Sequence, residues 1–108
     1  MLTYRLVLML LEKEGNMINE QKTKTITEIR EEIDLIDGKL AELLEERLAM
    51  VIDMALLKST LGLPIYDEKR EKEVIRKNCK GEYLIFLERI YEGIMRESRR
   101  VQDSLWHY

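Results

Sequence analysis

The chain has 108 residues, 45% apolar and 36% charged, which is material for one folded domain rather than a disordered tail. No run approaches the roughly 20 apolar residues that span a bilayer, which excludes a membrane protein of the helical kind. A net charge of −3 excludes a general basic field for nucleic acid, so an anionic ligand would have to be held by a local group of cations.

One cysteine, Cys79, excludes an internal disulfide, and one histidine, His107, beside the C-terminus leaves no zinc site. Both suit a reducing cytoplasm. A single proline and abundant Leu, Ile, Glu, Lys and Arg favour long helices over sheet, and no strands are expected.

Residues 1–25 carry no sustained pattern and read as an N-terminal arm or linker, polar from Asn16 to Thr25. Leu6 to Leu11 resembles a piece of a signal-peptide core, but Glu12, Lys13 and Glu14 stand where cleavage needs small residues, so secretion is not expected. Lys13-Glu14-Gly15-Asn16-Met17 is what a purine-rich ribosome-binding site and a start codon would encode if translated. Met17 is therefore an alternative start, a hypothesis that a native N-terminus at Met1 or Leu2 would rule out.

From Thr25 the pattern is strong. Thr25 with Glu28 makes a capping box, and Ile26, Ile29, Ile33, Ile36, Leu40, Leu43, Met50, Met54, Leu57 and Leu61 recur at steps of three and four. This predicts one helix of about 36 residues, stopped by Gly62-Leu63-Pro64, where glycine suits the C-terminal cap and proline forbids continuation. Asp67 then caps a short helix to about Asn78, with Glu68 and Glu71 at the positive end of its dipole. Gly81 separates it from a third helix, whose stripe is Leu84, Leu87, Tyr91, Ile94, Val101 and Leu105, ending near Trp106.

At 1.5 Å per residue the first helix would be roughly 54 Å long, whereas a compact domain of about 100 residues has a radius of gyration near 13 Å. Two shorter helices of the same chain cannot cover so long a stripe. The expected fold is therefore all-α, with three helices (long, short, long) forming an intertwined helical-bundle homodimer rather than a plain coiled coil. Residues 26–108 form its domain.

Polar residues interrupt these stripes. Heptad steps from Ile26 through Ile33 and Leu40 reach Arg47, and steps from Leu44 through Val51 reach Lys58. The third-helix stripe continues through Ser98 to Gln102, one turn apart. Buried unpaired cations cost several kcal/mol, so Arg47 and Lys58 call for internal carboxylates or for an anionic ligand, alternatives that geometry alone leaves open. Arg30 precedes Arg47 by 17 residues on the same helix, roughly 25 Å, too far to share one small ligand. In an antiparallel dimer Arg30 of one chain would approach Arg47 and Lys58 of the other, and Arg70 and Glu71 would close the site.

Together these residues resemble the small, all-helical chorismate mutases. The matching text is Ile29-Arg30-Glu31-Glu32-Ile33-Asp34-Leu35-Ile36-Asp37, then Leu43-Leu44-Glu45-Glu46-Arg47, Lys58 ahead of a Gly-x-Pro-Ile break, Asp67-x-x-Arg70-Glu71, and Ser98-x-x-x-Gln102. Any one fragment is weak; the ordered set is specific, and it covers about residues 26–105.

The resemblance implies rearrangement of chorismate to prephenate in phenylalanine and tyrosine biosynthesis, with no cofactor or metal, by a homodimer with sites shared between chains. It implies that Arg47, and Arg30 of the other chain, bind the substrate carboxylates, with Arg70 and Ser98 assisting. Lys58 and Gln102 would donate to the ether oxygen, and Glu71 with the backbone near Asp67 would receive the ring hydroxyl. The connection between the second and third helices is shorter than in the relatives by about a turn, and Tyr66 stands at a position they vary, both matters of loop geometry. An isochorismate pyruvate lyase shares the fold, but the acid after the second-helix arginine is not kept there, so Glu71 favours the mutase. A non-catalytic helical dimerisation or regulatory module is the remaining alternative.

Overall fold

A computed structural model describes residues 23–105. The alternative start at Met17, most of the proposed arm, Trp106 and His107 lie outside them. Among the described residues there are three α-helices and no strand: α1 (Ile26–Leu61), α2 (Glu68–Asn78) and α3 (Leu84–Ser104). None is long and apolar enough to cross a membrane.

The chain divides into two compact units, one ending at Leu40 and the other beginning at Ala41. In the first, α1 starts where the capping box predicts. The Glu28 N–H donates to Thr25 Oγ1 (3.1 Å), and the Thr25 N–H donates to Glu28 Oε2 (3.2 Å). Two of the four N–H groups orphaned at this end of a helix are thereby satisfied. The Lys24 ammonium adds an ion pair with Glu32 at 2.7 Å, exposed and therefore screened by solvent.

The second unit begins within α1 and holds α2 and α3. Helix α1 ends in a Schellman motif. The Leu63 N–H donates to the Lys58 carbonyl (2.8 Å) and the Gly62 N–H to the Ser59 carbonyl (3.2 Å), with Gly62 at φ +69°, where a side chain would be strained. Helix α2 is capped by Asp67, whose Oδ1 accepts from the Arg70 N–H at 3.0 Å. It ends at Cys79, a buried residue whose thiol is pushed up by burial and further by the nearby Glu88. The turn into α3 uses Gly81 at φ +90°. Helix α3 runs to Ser104 with Leu105 as its cap, and the expected end near Trp106 lies outside the described residues.

Helix α2 packs against α3, and Ala55, Cys79 and Met95 form the buried apolar core. That core is small. Most of the predicted α1 stripe, from Ile26, Ile29 and Ile33 to Leu57 and Leu61, lies exposed in the single chain. At about 25 cal/mol per Å² of apolar surface, such a stripe is a strong driving force for burial against something else.

Candidate active site

The second unit contains an open cleft of about 490 Å³ walled by the C-terminal half of α1, the α1–α2 connection, α2 and α3. Seven of the eight residues singled out from sequence line it: Arg47, Lys58, Asp67, Arg70, Glu71, Ser98 and Gln102. Arg30 belongs to the first unit and is not among the lining residues. Apolar side chains complete the wall, among them Met50, Val51, Met54, Ile65, Val74 and Met95. A mostly apolar hollow with a few convergent polar groups is the usual form of a small-molecule site.

Arg47 is half-buried and reaches across to α3. One terminal nitrogen donates to Ser98 Oγ at 2.6 Å and the other lies 3.6 Å from Met95 Sδ. Ser98 is buried, and its hydroxyl donates in turn to the Ile94 carbonyl (2.7 Å), leaving its oxygen lone pairs for the guanidinium. Lys58, also half-buried, donates to the Ile65 carbonyl at 3.1 Å, which ties the end of α1 to the chain beyond Pro64. An ammonium has three donors, so two remain for a ligand.

Neither cation is neutralised by a carboxylate among the described residues. Among the described residues every ion pair involves other groups, and neither Arg47 nor Lys58 has a carboxylate within 4 Å. The internal ion pairs that geometry left open are thus not formed among the described residues. Two half-buried positive charges in one cleft favour an anion there.

Gln102 is buried, and its Nε2 donates to the Ser98 carbonyl at 3.1 Å, which leaves its second N–H uncommitted. Its Oε1 is the one buried side-chain polar atom among the described residues without a hydrogen-bond partner. An unmet buried acceptor costs about 1–3 kcal/mol, and such a group at a cleft wall is a natural ligand contact. Asp67 has its carboxylate engaged in capping α2, while Arg70 is turned outward to Glu73 at 3.6 Å.

Arg99 also lines the cleft, and neither the heptad steps nor the matched motifs point to it. It follows Ser98 directly and so falls beside the stripe rather than on it. The signal that finds it is its place four residues after Met95 and three before Gln102, both buried, which puts it at the edge of the same face. Met95 is a second omission, since the predicted stripe passes through its neighbour Ile94.

The fold and cleft define a class: a small helical protein with a hollow at the junction of three helices, lined by Arg47, Lys58, Ser98 and Gln102. The model of the family described as chorismate mutase type II matches residues 29–103, and the chain belongs to that family. It is 47% identical over 58 residues to a chorismate mutase of Methanocaldococcus jannaschii, a match covering 51% of this chain and 59% of that one. It is 39% identical over 74 residues to a 3-dehydroquinate dehydratase of Pyrobaculum aerophilum, covering 68% of this chain and 23% of that one. The chain thus spans less than two thirds of the length of these curated relatives. Among solved structures it is similar to a conserved hypothetical protein from Pyrococcus furiosus, with a TM-score of 0.63 and 39% identity over 74% of this chain and 97% of that chain.

Proposed function

We propose that this protein is a chorismate mutase, an isomerase that converts chorismate to prephenate in phenylalanine and tyrosine biosynthesis. The observation that carries the reading is the pair of half-buried cations, Arg47 and Lys58, in one cleft with no carboxylate within 4 Å of them among the described residues.

Chorismate is a dicarboxylate with an enol-pyruvyl ether. Its rearrangement is one pericyclic step in which the ether C–O bond breaks as a C–C bond forms, so no group leaves and no nucleophile or general base is required. A catalyst has to hold the compact conformer and stabilise the negative charge that grows on the ether oxygen. The first task is proximity and the second electrostatic preorganisation.

Arg47, held in place by Ser98, presents the planar fork suited to a carboxylate. Arg70 assists once it turns from Glu73. Lys58 and the free N–H of Gln102 donate to the ether oxygen. Glu71 and the backbone near Asp67 receive the ring hydroxyl.

The second carboxylate is taken by Arg30 of a second copy of the chain. The exposed α1 stripe supports a homodimer whose intertwined helices bury it, with each site shared between chains. On this reading the catalytic domain starts near Ile26, and the protein works in the cytoplasm.

The deciding experiment is loss of chorismate absorbance with the purified protein, followed by acid conversion of the product to phenylpyruvate. Release of pyruvate from isochorismate, supplied in a parallel assay, would assign the lyase reaction instead, and no turnover of either compound would leave a helical binding module.

A further inference from the structure

We propose that Arg99 is a positioning residue that holds the Glu71 carboxylate in place from α3, with Tyr66 as the surface on which it is braced. This rests on the reading of Glu71 as the acceptor for the substrate hydroxyl, and it adds a residue that neither the motif pattern nor the stripe contains.

Three observations carry it. Arg99 and Glu71 both line the cleft. The Arg99 Nε lies 3.7 Å from Glu71 Oε2, with the two side chains 37% and 21% exposed. This is the one ion pair among the described residues that joins two different helices, since those of Arg70, Lys72 and Arg100 each stay within one helix. The guanidinium carbon also sits 4.9 Å from the centre of the Tyr66 ring, within the range of a cation–π contact.

The geometry suits arginine in particular. Its planar group can lay its face on an aromatic ring while its N–H edge stays free for a carboxylate, which a lysine ammonium cannot do. Tyr66 is also the residue before Asp67, the cap of α2. One side chain on α3 is therefore linked to the α1–α2 connection and to the first turn of α2. At 3.7 Å the pair is coulombic rather than hydrogen-bonded, so Glu71 keeps its acceptor lone pairs for a ligand while its position is restrained. A misplacement of about 1 Å in such a group can cost up to about a hundredfold in rate, which is the scale on which a positioning residue acts.

The test is a double-mutant cycle with chorismate as substrate. Arg99→Gln is expected to lower kcat/KM by about tenfold when Glu71 is present and by less than about twofold in a Glu71→Gln background, because Arg99 acts through that carboxylate. The same loss in both backgrounds overturns the proposal, since Arg99 would then act on the substrate directly or on the fold as a whole. A second readout does not need turnover. In protein labelled with ¹⁵N-arginine, the Arg99 Nε–H resonance should move on Glu71→Gln and on Tyr66→Leu and stay in place on Tyr66→Phe. A resonance unmoved by Glu71→Gln overturns the proposal. Failure of the unaltered protein to consume chorismate overturns the functional reading instead, and the resonance then still decides whether Arg99 holds Glu71.

Discussion

Ser98 and Gln102 on α3 are only 5% and 7% exposed, whereas Ile33 and Ile36 on α1 are 49% and 56% exposed. Polar groups are buried in one region and large aliphatic groups face outward in another, the reverse of what transfer free energies favour in a finished monomer. The two departures have different causes. Near α3 the polar groups line a cleft that also holds two cations, Arg47 and Lys58, with no carboxylate partner among the described residues, which is the arrangement of a ligand site. Along α1 the exposed residues recur at helical spacing, which is the arrangement of an interface. On the proposed function, the first departure concerns a substrate and the second another copy of the chain.

The largest expected effect tests both together. Arg47→Ala and Arg30→Ala should each lower kcat/KM by about a hundredfold or more, the scale seen when a preorganised charge contact is removed. Mixing the two inactive variants and allowing subunits to exchange should then restore about one quarter of the wild-type sites. Half of the dimers in such a mixture are mixed, and each of these has one site of two intact. No recovery after verified exchange would show that Arg30 and Arg47 act in the same chain or that the site is not shared.

A smaller effect isolates the buried polar region. An amide donates a hydrogen bond at any pH, but a carboxyl group does so only while protonated. Gln102→Glu should therefore keep activity at acid pH and lose it as pH rises through the titration of the introduced carboxyl. A pH–rate profile unchanged up to pH 8 would remove Gln102 from the site.

The smallest effect probes α1. Gly38 lies inside the helix with nothing within 4 Å of the position a Cβ would take, so Gly38→Ala should stabilise the fold by about 0.5–1 kcal/mol, read from thermal or denaturant unfolding. Destabilisation instead would mean that a partner's surface approaches closely there, which would locate part of the α1 interface.

Much of this was legible in the residues themselves. Thr25 with Glu28, Gly62 ahead of Pro64, and Asp67 act through local hydrogen bonds and backbone preferences that need only a few neighbouring residues. The ends of α1 and the start of α2 accordingly fall where the sequence predicts. Arg47, Lys58, Ser98 and Gln102 stood out because each breaks a helical period, and period is again a local property.

Other features were not legible because they depend on which helix lies against which. The link from Arg99 to Tyr66 joins positions 33 residues apart, each unremarkable on its own helix or loop. Whether Arg47 meets a carboxylate or a serine depends on the residue that α3 sets opposite it. The sequence by itself determined where the helices begin and end and which polar residues break their apolar faces, because capping and periodicity are short-range. Only the tertiary structure decided that Arg47, Lys58, Ser98 and Gln102 share one cleft with Asp67, Arg70 and Glu71, that its two cations from α1 meet no carboxylate among the described residues, and that Arg99 lies against Glu71 and Tyr66, because these depend on side chains meeting across distances that no local pattern encodes.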